Sequence, residues 1–366
     1  MTTVPTTTAE VTADWMTEAL RSSGTIPDGV TVASVIADPG AAGVGFMGEV
    51  ATVGLVYDGD AGDAPTSVVV KFPSRDPGIR AMMHPTRIYE REHRFYRELA
   101  PQSPVRTPAI HHVTCEPADD PADEQYLIVM EDLSGLELGD QVIGASLAQA
   151  EAALVGLARH HARFWDGAGL DAADFIPAIN GPLNQAGQGI YMNSLPGFLA
   201  VFGERLDPAM LEIAHAYAAA NPRMLDALAA MPNTLVHFDY RVDNMFFDPA
   251  DGSVVVIDWQ AISRGGGAAD VGYFLAQNVA TDVRRANEDR LLHLYHDTLL
   301  ANGVTGYDYD TFHEHYRLGV IYGWIIPVMA IGSLDVSSER AMALWSAVIE
   351  RTQTAVLEHD AGEFVR

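Results

Sequence analysis

A chain of 366 residues, 48% hydrophobic and 19% charged, is folded rather than disordered and exceeds what one hydrophobic core usually supports, so two packed lobes with a cleft are expected. Its 22 Lys and Arg against 49 Asp and Glu leave a formal charge of -27, which argues against a nucleic-acid or anionic-membrane partner and requires any bound anion to be held locally. The lone Cys115 excludes an internal disulfide and a cysteine-based zinc site, and the N-terminal MTTVPTTTAEVTADW has neither the basic nor the apolar region of a secretory signal, so a cytoplasmic location is expected.

In chain order, a short helix is expected around Ala13 to Arg21, followed by an antiparallel strand pattern. The strands are Val30 to Ile36, Gly48 to Tyr57, Ser67 to Phe72 and Gln125 to Glu131, with one helix, Tyr89 to Leu99, between the last two. YDGDAGDAP at Tyr57 to Pro65 reads as a turn, and the acidic EPADDPADE at Glu116 to Glu124 as an exposed loop. From Ser146 the pattern becomes helical, beginning with Leu147 to Trp165. The exception is Thr234 to Trp259, which reads as strand, loop, strand, hairpin turn and strand, with the turn at Pro249 to Ser253. The apolar run Gly319 to Gly332 is too short and too broken by Gly and Pro to span a bilayer, and is expected to form a buried helix.

The segment His237-Phe-Asp239-Tyr-Arg-Val-Asp243-Asn244, followed by Val-Val-Val-Ile-Asp258-Trp-Gln, gathers carboxylates and an amide between apolar strands. Their desolvation needs an offset, which bound metal or substrate would supply. Phosphoryl transfer calls for this set: one carboxylate to orient the attacking hydroxyl and accept its proton, and an Asn with a second carboxylate to hold magnesium against the nucleotide phosphates.

Here the chain resembles the aminoglycoside phosphotransferase and ecdysteroid kinase-like families, relatives of protein kinases, whose pattern is His-Gly-Asp, four residues, Asn, then Asp after a strand. The resemblance implies an α+β, protein-kinase-like, two-lobed fold. Residues 1–133 would be an N-terminal nucleotide-binding lobe with a small antiparallel sheet and one key helix, and residues 134–366 a larger, mainly helical lobe. It further implies Asp239 as catalytic base, His237 as a brace for its loop, Asn244 and Asp258 as magnesium ligands, and ATP and Mg2+ as cofactors. Phe238 departs from the pattern by standing where those families usually have Gly. Arg264-Gly-Gly-Gly-Ala-Ala-Asp270 resembles the families' following segment, in which the Asp anchors the loop.

The N-terminal third then supplies the nucleotide's other contacts. Lys71 interrupts the apolar strand Val68-Val-Val-Lys71-Phe-Pro and is costly to bury unless it meets an anion such as the α and β phosphates. The resemblance implies that a glutamate of the following helix holds this lysine, and Glu92, which shares one helix face with Phe95, Tyr96 and Leu99, is the expected partner, with Glu90 the alternative. Gly43, Gly45 and Gly48, in GAAGVGFMGEV, suit a phosphate-covering loop, and Tyr126 to Leu133 resembles a hinge that reads adenine through backbone groups near Glu131 and Leu133. The paired His160 and His161 face different sides of a helix and read as packing beneath the catalytic loop.

The activity so implied is ATP-dependent phosphorylation of a hydroxyl on a small molecule. Asn180, Asn184, Gln185, Gln188, Tyr191 and Asn193 could line an acceptor site, with Tyr322, Trp324 and Met329 as an apolar wall. The Ile-Asp-Trp-Gln and Arg-x-Gly details look nearer the ecdysteroid kinase-like branch and tilt the acceptor towards a neutral or lipophilic alcohol. Two alternatives stand beside the kinase: a catalytically silent nucleotide-binding protein, and a metal-dependent hydrolase built from His237, Asp239, Asp258, His160 and His161.

Overall fold

The computed structural model describes residues 3–37, 43–45 and 48–366. The chain divides into two units, Met1–Gln102 with Thr107–Gly135, and Ser103–Arg106 with Leu136–Arg366.

The first unit begins with α1 (Ala13–Ser22), whose first turn is capped by the Thr12 hydroxyl accepting the Trp15 N–H at 3.2 Å. It continues through strands β1 (Thr31–Ala37), β2 (Gly43–Gly45), β3 (Gly48–Asp58) and β4 (Ser67–Pro73), helices α2 (Pro77–Met83) and α3 (Ile88–Arg94), and strands β5 (Ile110–Glu116) and β6 (Gln125–Glu131). The sheet is antiparallel, in the order β1-β3-β4-β6-β5, with β2 folded onto β3. Trp15, Met16 and Leu20 of α1 pack with Val53, Val68, Val70, Phe72, Leu127 and Val129 to form its core. Along β4 the alternation is regular: Val68, Val70 and Phe72 are buried, which turns Lys71 to the opposite face.

Three features depart from expectation. The helix expected to run from Tyr89 to Leu99 changes to a π-helical turn over Phe95–Leu99. Strand β5 lies in IHHVTCE, whose adjacent histidines and the register shift between Ile110 and His112 hide the usual alternation. Glu124, at the end of the acidic loop, is buried, and its carboxylate meets His84 Nδ1 at 2.9 Å and the Tyr126 hydroxyl at 3.3 Å.

The second unit holds β7 (Glu137–Leu138), α4 (Leu147–Arg163), α5 (Pro182–Gln185), α6 (Gly187–Phe202) and α7 (Pro208–Ala230). Strands β8 (Asn233–Val236), β9 (Met245–Phe247), β10 (Val254–Val256) and β11 (Ser263–Gly266) follow. Helices α8 (Ala268–Asn278), α9 (Thr281–Ala301), α10 (Tyr309–Tyr322), α11 (Ile325–Ser333) and α12 (Glu339–Glu358) complete it. β8 pairs with β11, and β9 lies between β10 and β7, so the polar loop 237–244 is suspended between two short sheets. Ser103–Arg106 joins this unit because the Ser103 hydroxyl bonds His160 Nδ1 at 2.8 Å and the Arg106 carbonyl accepts the Val256 N–H at 2.9 Å.

The position of α8 is set by close backbone contact with α10. A Cβ on Gly272 would lie 2.3 Å from the Gly319 carbonyl carbon, and one on Gly319 would lie 2.3 Å from the Ala268 oxygen, so neither position accepts a side chain without separating the helices. The apolar run expected to be one helix breaks at Gly323, between α10 and α11. Pro327 lacks the N–H that would continue the ladder to Gly323, and the Gly323 carbonyl accepts the Ile326 N–H at 3.2 Å and Gln277 Nε2 at 2.7 Å. Among the described residues one stretch, Tyr309–Ser333, is long and apolar enough to cross a membrane, and 67% of its most apolar window is buried inside the protein.

Candidate functional site

In the first unit, Lys71 Nζ lies 2.7 Å from Glu92 Oε1. The Glu92 side chain is 2% exposed and that of Lys71 21%, so the ammonium is the accessible member of the pair. Glu90, one helical step away, faces Arg87 at 2.6 Å and Arg94 at 3.2 Å. Burial pushes the Glu90 carboxyl up, but these two guanidiniums prevail and hold it below its ordinary range.

Gly48 sits opposite Gly45 and beside β4, where a Cβ would stand 2.4 Å from the Phe72 carbonyl oxygen, so strand packing alone already requires glycine there. Gly43 pairs with Val50. The rest of the expected phosphate-covering loop, residues 38–42 and 46–47, lies outside the described residues. At the end of β6 the Glu131 N–H donates to the Ala109 carbonyl at 2.8 Å, and Glu131 Oε2 accepts the Ala109 N–H at 3.0 Å. Leu133, two residues on, is buried.

In the second unit the chain turns sharply after β8. His237 Nε2 lies 3.0 Å from the Ile257 carbonyl, and its Nδ1 lies 3.3 Å from the Asp239 N–H. With Nδ1 meeting a backbone N–H and Nε2 a backbone carbonyl, the ring clamps the loop to the strand that precedes Asp258. Asn244 repeats the tie, its carbonyl accepting the Ile257 N–H at 3.0 Å. Asp270, 1% exposed at the start of α8, accepts the His237 N–H at 2.7 Å and the Phe238 N–H at 2.8 Å, and meets His161 Nε2 at 3.3 Å.

These restraints set the Asp239 carboxylate. Its Oδ2 accepts from Asn244 Nδ2 at 3.1 Å and from Arg241 Nε at 3.3 Å, and its Oδ1 from the Tyr273 hydroxyl at 3.1 Å. The side chain keeps 26% exposure, enough to meet a ligand. Burial pushes the Tyr273 phenol well up, and the Asp239 charge adds to this, so Tyr273 stays a donor. Burial alone would lower the Arg241 pKa, but Asp239, Tyr273 and Asp243 raise it above its ordinary value. Asp243 is turned aside, accepting the Gln141 N–H at 2.6 Å. Asp258 takes a left-handed backbone, φ 65°, at the end of its strand, and its Oδ2 accepts Gln260 Nε2 at 3.2 Å.

Tyr273 and Arg241 were not singled out from the sequence. Tyr273 is one turn beyond Asp270 on α8, so once Asp270 anchors the loop the same face must carry Tyr273 towards it. Phe238 has φ 67°, a left-handed conformation that costs a non-glycine residue roughly 1–2 kcal/mol. Glycine would meet no such cost, and the loop takes this conformation here with a phenylalanine in place.

Most of the expected acceptor lining is occupied elsewhere. Asn180 bonds Asp226 at 2.9 Å, Asn184 the Ile179 carbonyl at 3.0 Å, Gln188 the Ala218 carbonyl at 2.8 Å and Tyr191 the Ala214 carbonyl at 2.8 Å. Gln185 reaches the Asn180 carbonyl at 3.4 Å, while Asn193 is exposed. Trp324 is fully buried and donates to the Tyr191 hydroxyl at 3.2 Å, which makes it core rather than wall; Tyr322 is 8% exposed. His160 and His161 have both ring nitrogens engaged, His160 with Ser103 and the Leu235 carbonyl, His161 with Tyr295 and Asp270.

The fold is that of the phosphotransferases. A Ralstonia eutropha protein provisionally designated an aminoglycoside phosphotransferase superposes with a TM-score of 0.54 at 17% identity, covering 95% of this chain and 98% of its own. The GDP complex of aminoglycoside 2'-phosphotransferase-IIIa gives 0.50 at 13% identity, over 88% and 93%. In sequence, an uncharacterized kinase-like protein of Caenorhabditis elegans is 27% identical over 201 residues, 52% of each chain, so the chain spans about half the length of that relative. The model of the ecdysteroid kinase-like family matches residues 42–303, well over half of the chain, which therefore belongs to the ecdysteroid kinase-like family.

Proposed function

We propose that this protein is a small-molecule kinase that moves the γ-phosphate of ATP to a hydroxyl of a neutral acceptor, with Asp239 as the base. The observation that carries the reading is the Asp239 carboxylate, fixed by Asn244, Arg241 and Tyr273 and still partly exposed. In the transfer, Asp239 accepts the proton of the acceptor hydroxyl as that oxygen bonds phosphorus, while the bond from phosphorus to the bridging oxygen breaks and ADP leaves. Lys71, held by Glu92, offers its ammonium to the nucleotide phosphates, and the backbone near Glu131 and Leu133 receives the base. Glycines 43, 45 and 48 belong to a segment that would cover the phosphates.

The donor set fits magnesium. Asn244 spends its side-chain nitrogen on Asp239, which leaves its side-chain oxygen Oδ1 to act beside the Asp258 carboxylate. Among the described residues no three His, Cys, Asp or Glu side chains converge as a metal cage, and magnesium suits such a site because it keeps waters and phosphate oxygens as ligands. Bound there, it would neutralise charge on the phosphate oxygens. The metal-hydrolase reading is less favoured, because His160 and His161 have no free ring nitrogen.

The acidic charge of -27 supports an acceptor other than nucleic acid or an anionic membrane surface, and the single cysteine supports a cytoplasmic setting. The test combines thermal unfolding with a phosphotransfer assay. MgATP at 100 times its Kd should stabilise the wild type by about 2.7 kcal/mol. Asp258→Ala should lose the magnesium-dependent part of that shift, and Asp239→Asn should keep the shift while losing transfer. A wild type that millimolar MgATP does not stabilise would overturn the proposal.

A further inference from the structure

Phe238 combines three features that packing alone does not require. Its φ of 67° is one that glycine adopts freely and phenylalanine does not, yet the loop has been built around it. Its backbone N–H is held at 2.8 Å by Asp270, so the backbone strain is fixed in place rather than relieved. Its ring is stacked on Tyr322, with centroids 5.6 Å apart and planes 29° apart, and it is only half-buried. A loop that needed only to position the next residue would be better served by glycine. The residue that follows is Asp239.

We propose that Phe238, backed by Tyr322, is a specificity-determining aromatic platform that receives the apolar face of the acceptor beside the hydroxyl to be phosphorylated. The inference rests on the kinase reading and deepens it by naming the side chain that would select, among hydroxyl acceptors, a neutral alcohol with a ring or hydrocarbon face next to its hydroxyl over an aminosugar. The surroundings suit that class. Tyr322 and Tyr273 are buried and pack aromatic carbon behind the loop, and Gly323 closes that packing, since a Cβ on it would stand 3.2 Å from Tyr273 Cδ2 and 3.0 Å from Gln277 Nε2. The polar side chains of the 180–191 segment are already bonded within the protein, so they do not offer an aminosugar the dense polar contacts it needs. Asp239 itself is shared among Arg241, Asn244 and Tyr273, which limits its attraction for an ammonium group.

The experiment measures MgATP-dependent phosphorylation of two probes, 2-naphthylmethanol and glucosamine, by the full chain as wild type, Phe238→Gly and Phe238→Tyr. Glycine suits the left-handed backbone, so Phe238→Gly is expected to fold. The wild type should favour the naphthyl alcohol by about tenfold or more in kcat/KM, the scale of one lost aromatic contact with its buried area. Phe238→Gly should erase most of that preference through KM rather than kcat, and Phe238→Tyr should restore it. Transfer to both probes in a ratio that Phe238→Gly leaves unchanged, or a wild type that favours glucosamine, overturns this inference alone. A wild type that shows neither transfer nor a MgATP thermal shift overturns the kinase reading, and this inference with it.

Discussion

The Tyr273 hydroxyl donates to Asp239 Oδ1 across 3.1 Å, and so a residue of α8 sets the orientation of a carboxylate on the loop. Asp270, one turn earlier on the same helix, holds that loop by its backbone. Because α8 is fixed against α10 by the Gly272 and Gly319 contact, the carboxylate is positioned from a rigid element and not from the loop alone.

Tyr273→Phe keeps the ring and its packing and removes only the donor. A hydrogen bond to a charged group is worth about 1.5 kcal/mol, so kcat should fall about tenfold if Oδ1 needs this partner to hold its angle. The MgATP thermal shift should be retained. Steady-state kinetics with any accepted alcohol would decide it, and an unchanged kcat would show that Arg241 and Asn244 suffice to hold Asp239.

The contrast between Glu92 and Glu90 makes a second prediction. Glu92→Ala leaves the Lys71 ammonium without its 2.7 Å partner, at a cost of about 2 kcal/mol because Lys71 is partly exposed, and should lower kcat/KM for ATP by about tenfold or more. Glu90→Ala breaks pairs with Arg87 and Arg94 and should cost stability while leaving ATP kinetics close to wild type. The reverse pattern would mean that the helix presents its other acidic residue to the nucleotide.

Much of this architecture was legible in the chain because strong local signals lie where single elements do the work. A lysine within an apolar strand and a carboxylate on an apolar helix face stand out through the two periodicities, and the family resemblance pairs them, as Lys71 and Glu92 are paired. The spacing from Asp239 to Asn244 is one tight loop, and Asp258 ends the next hairpin. What stayed hidden depends on tertiary placement. Tyr273 reaches Asp239 only because α8 lies beneath the loop. Asn184 and Gln188 read as surface polar groups because a sequence does not distinguish a side chain bonded to water from one bonded to a backbone carbonyl of the protein. Trp324, expected as a wall, is core for the same reason.

Asp270 should matter chiefly for stability. Asp270→Ala strips the acceptor from two backbone N–H groups, each costing about 1–3 kcal/mol when left unpaired, so a loss of about 3 kcal/mol or more is expected by urea denaturation. Asp270→Asn keeps one acceptor oxygen and should fall between the two. A loss below about 0.5 kcal/mol for the alanine variant, the range of an ordinary surface substitution, would mean that water replaces the carboxylate without cost.

The helical unit should also carry an acid-sensitive node far along the chain, at Glu288. Burial pushes its pKa up, but His359 Nε2 at 3.0 Å, Arg284 at 2.9 Å and the Tyr316 hydroxyl outweigh this and hold it at about 2 against an ordinary 4.5. A carboxyl whose pKa is depressed on folding contributes its stability above the unfolded value and loses it as pH falls through the folded one, so the window runs from about pH 4.5 to about pH 2. A shift of this size corresponds to about 3 kcal/mol by linkage. Glu288→Gln should therefore unfold well below the wild type at neutral pH, with the gap narrowing as pH falls through that window. Paired thermal scans at successive pH values test this, and a gap that stayed constant to pH 2 would show that the Arg284 pairing with Glu358, not Glu288, carries the node.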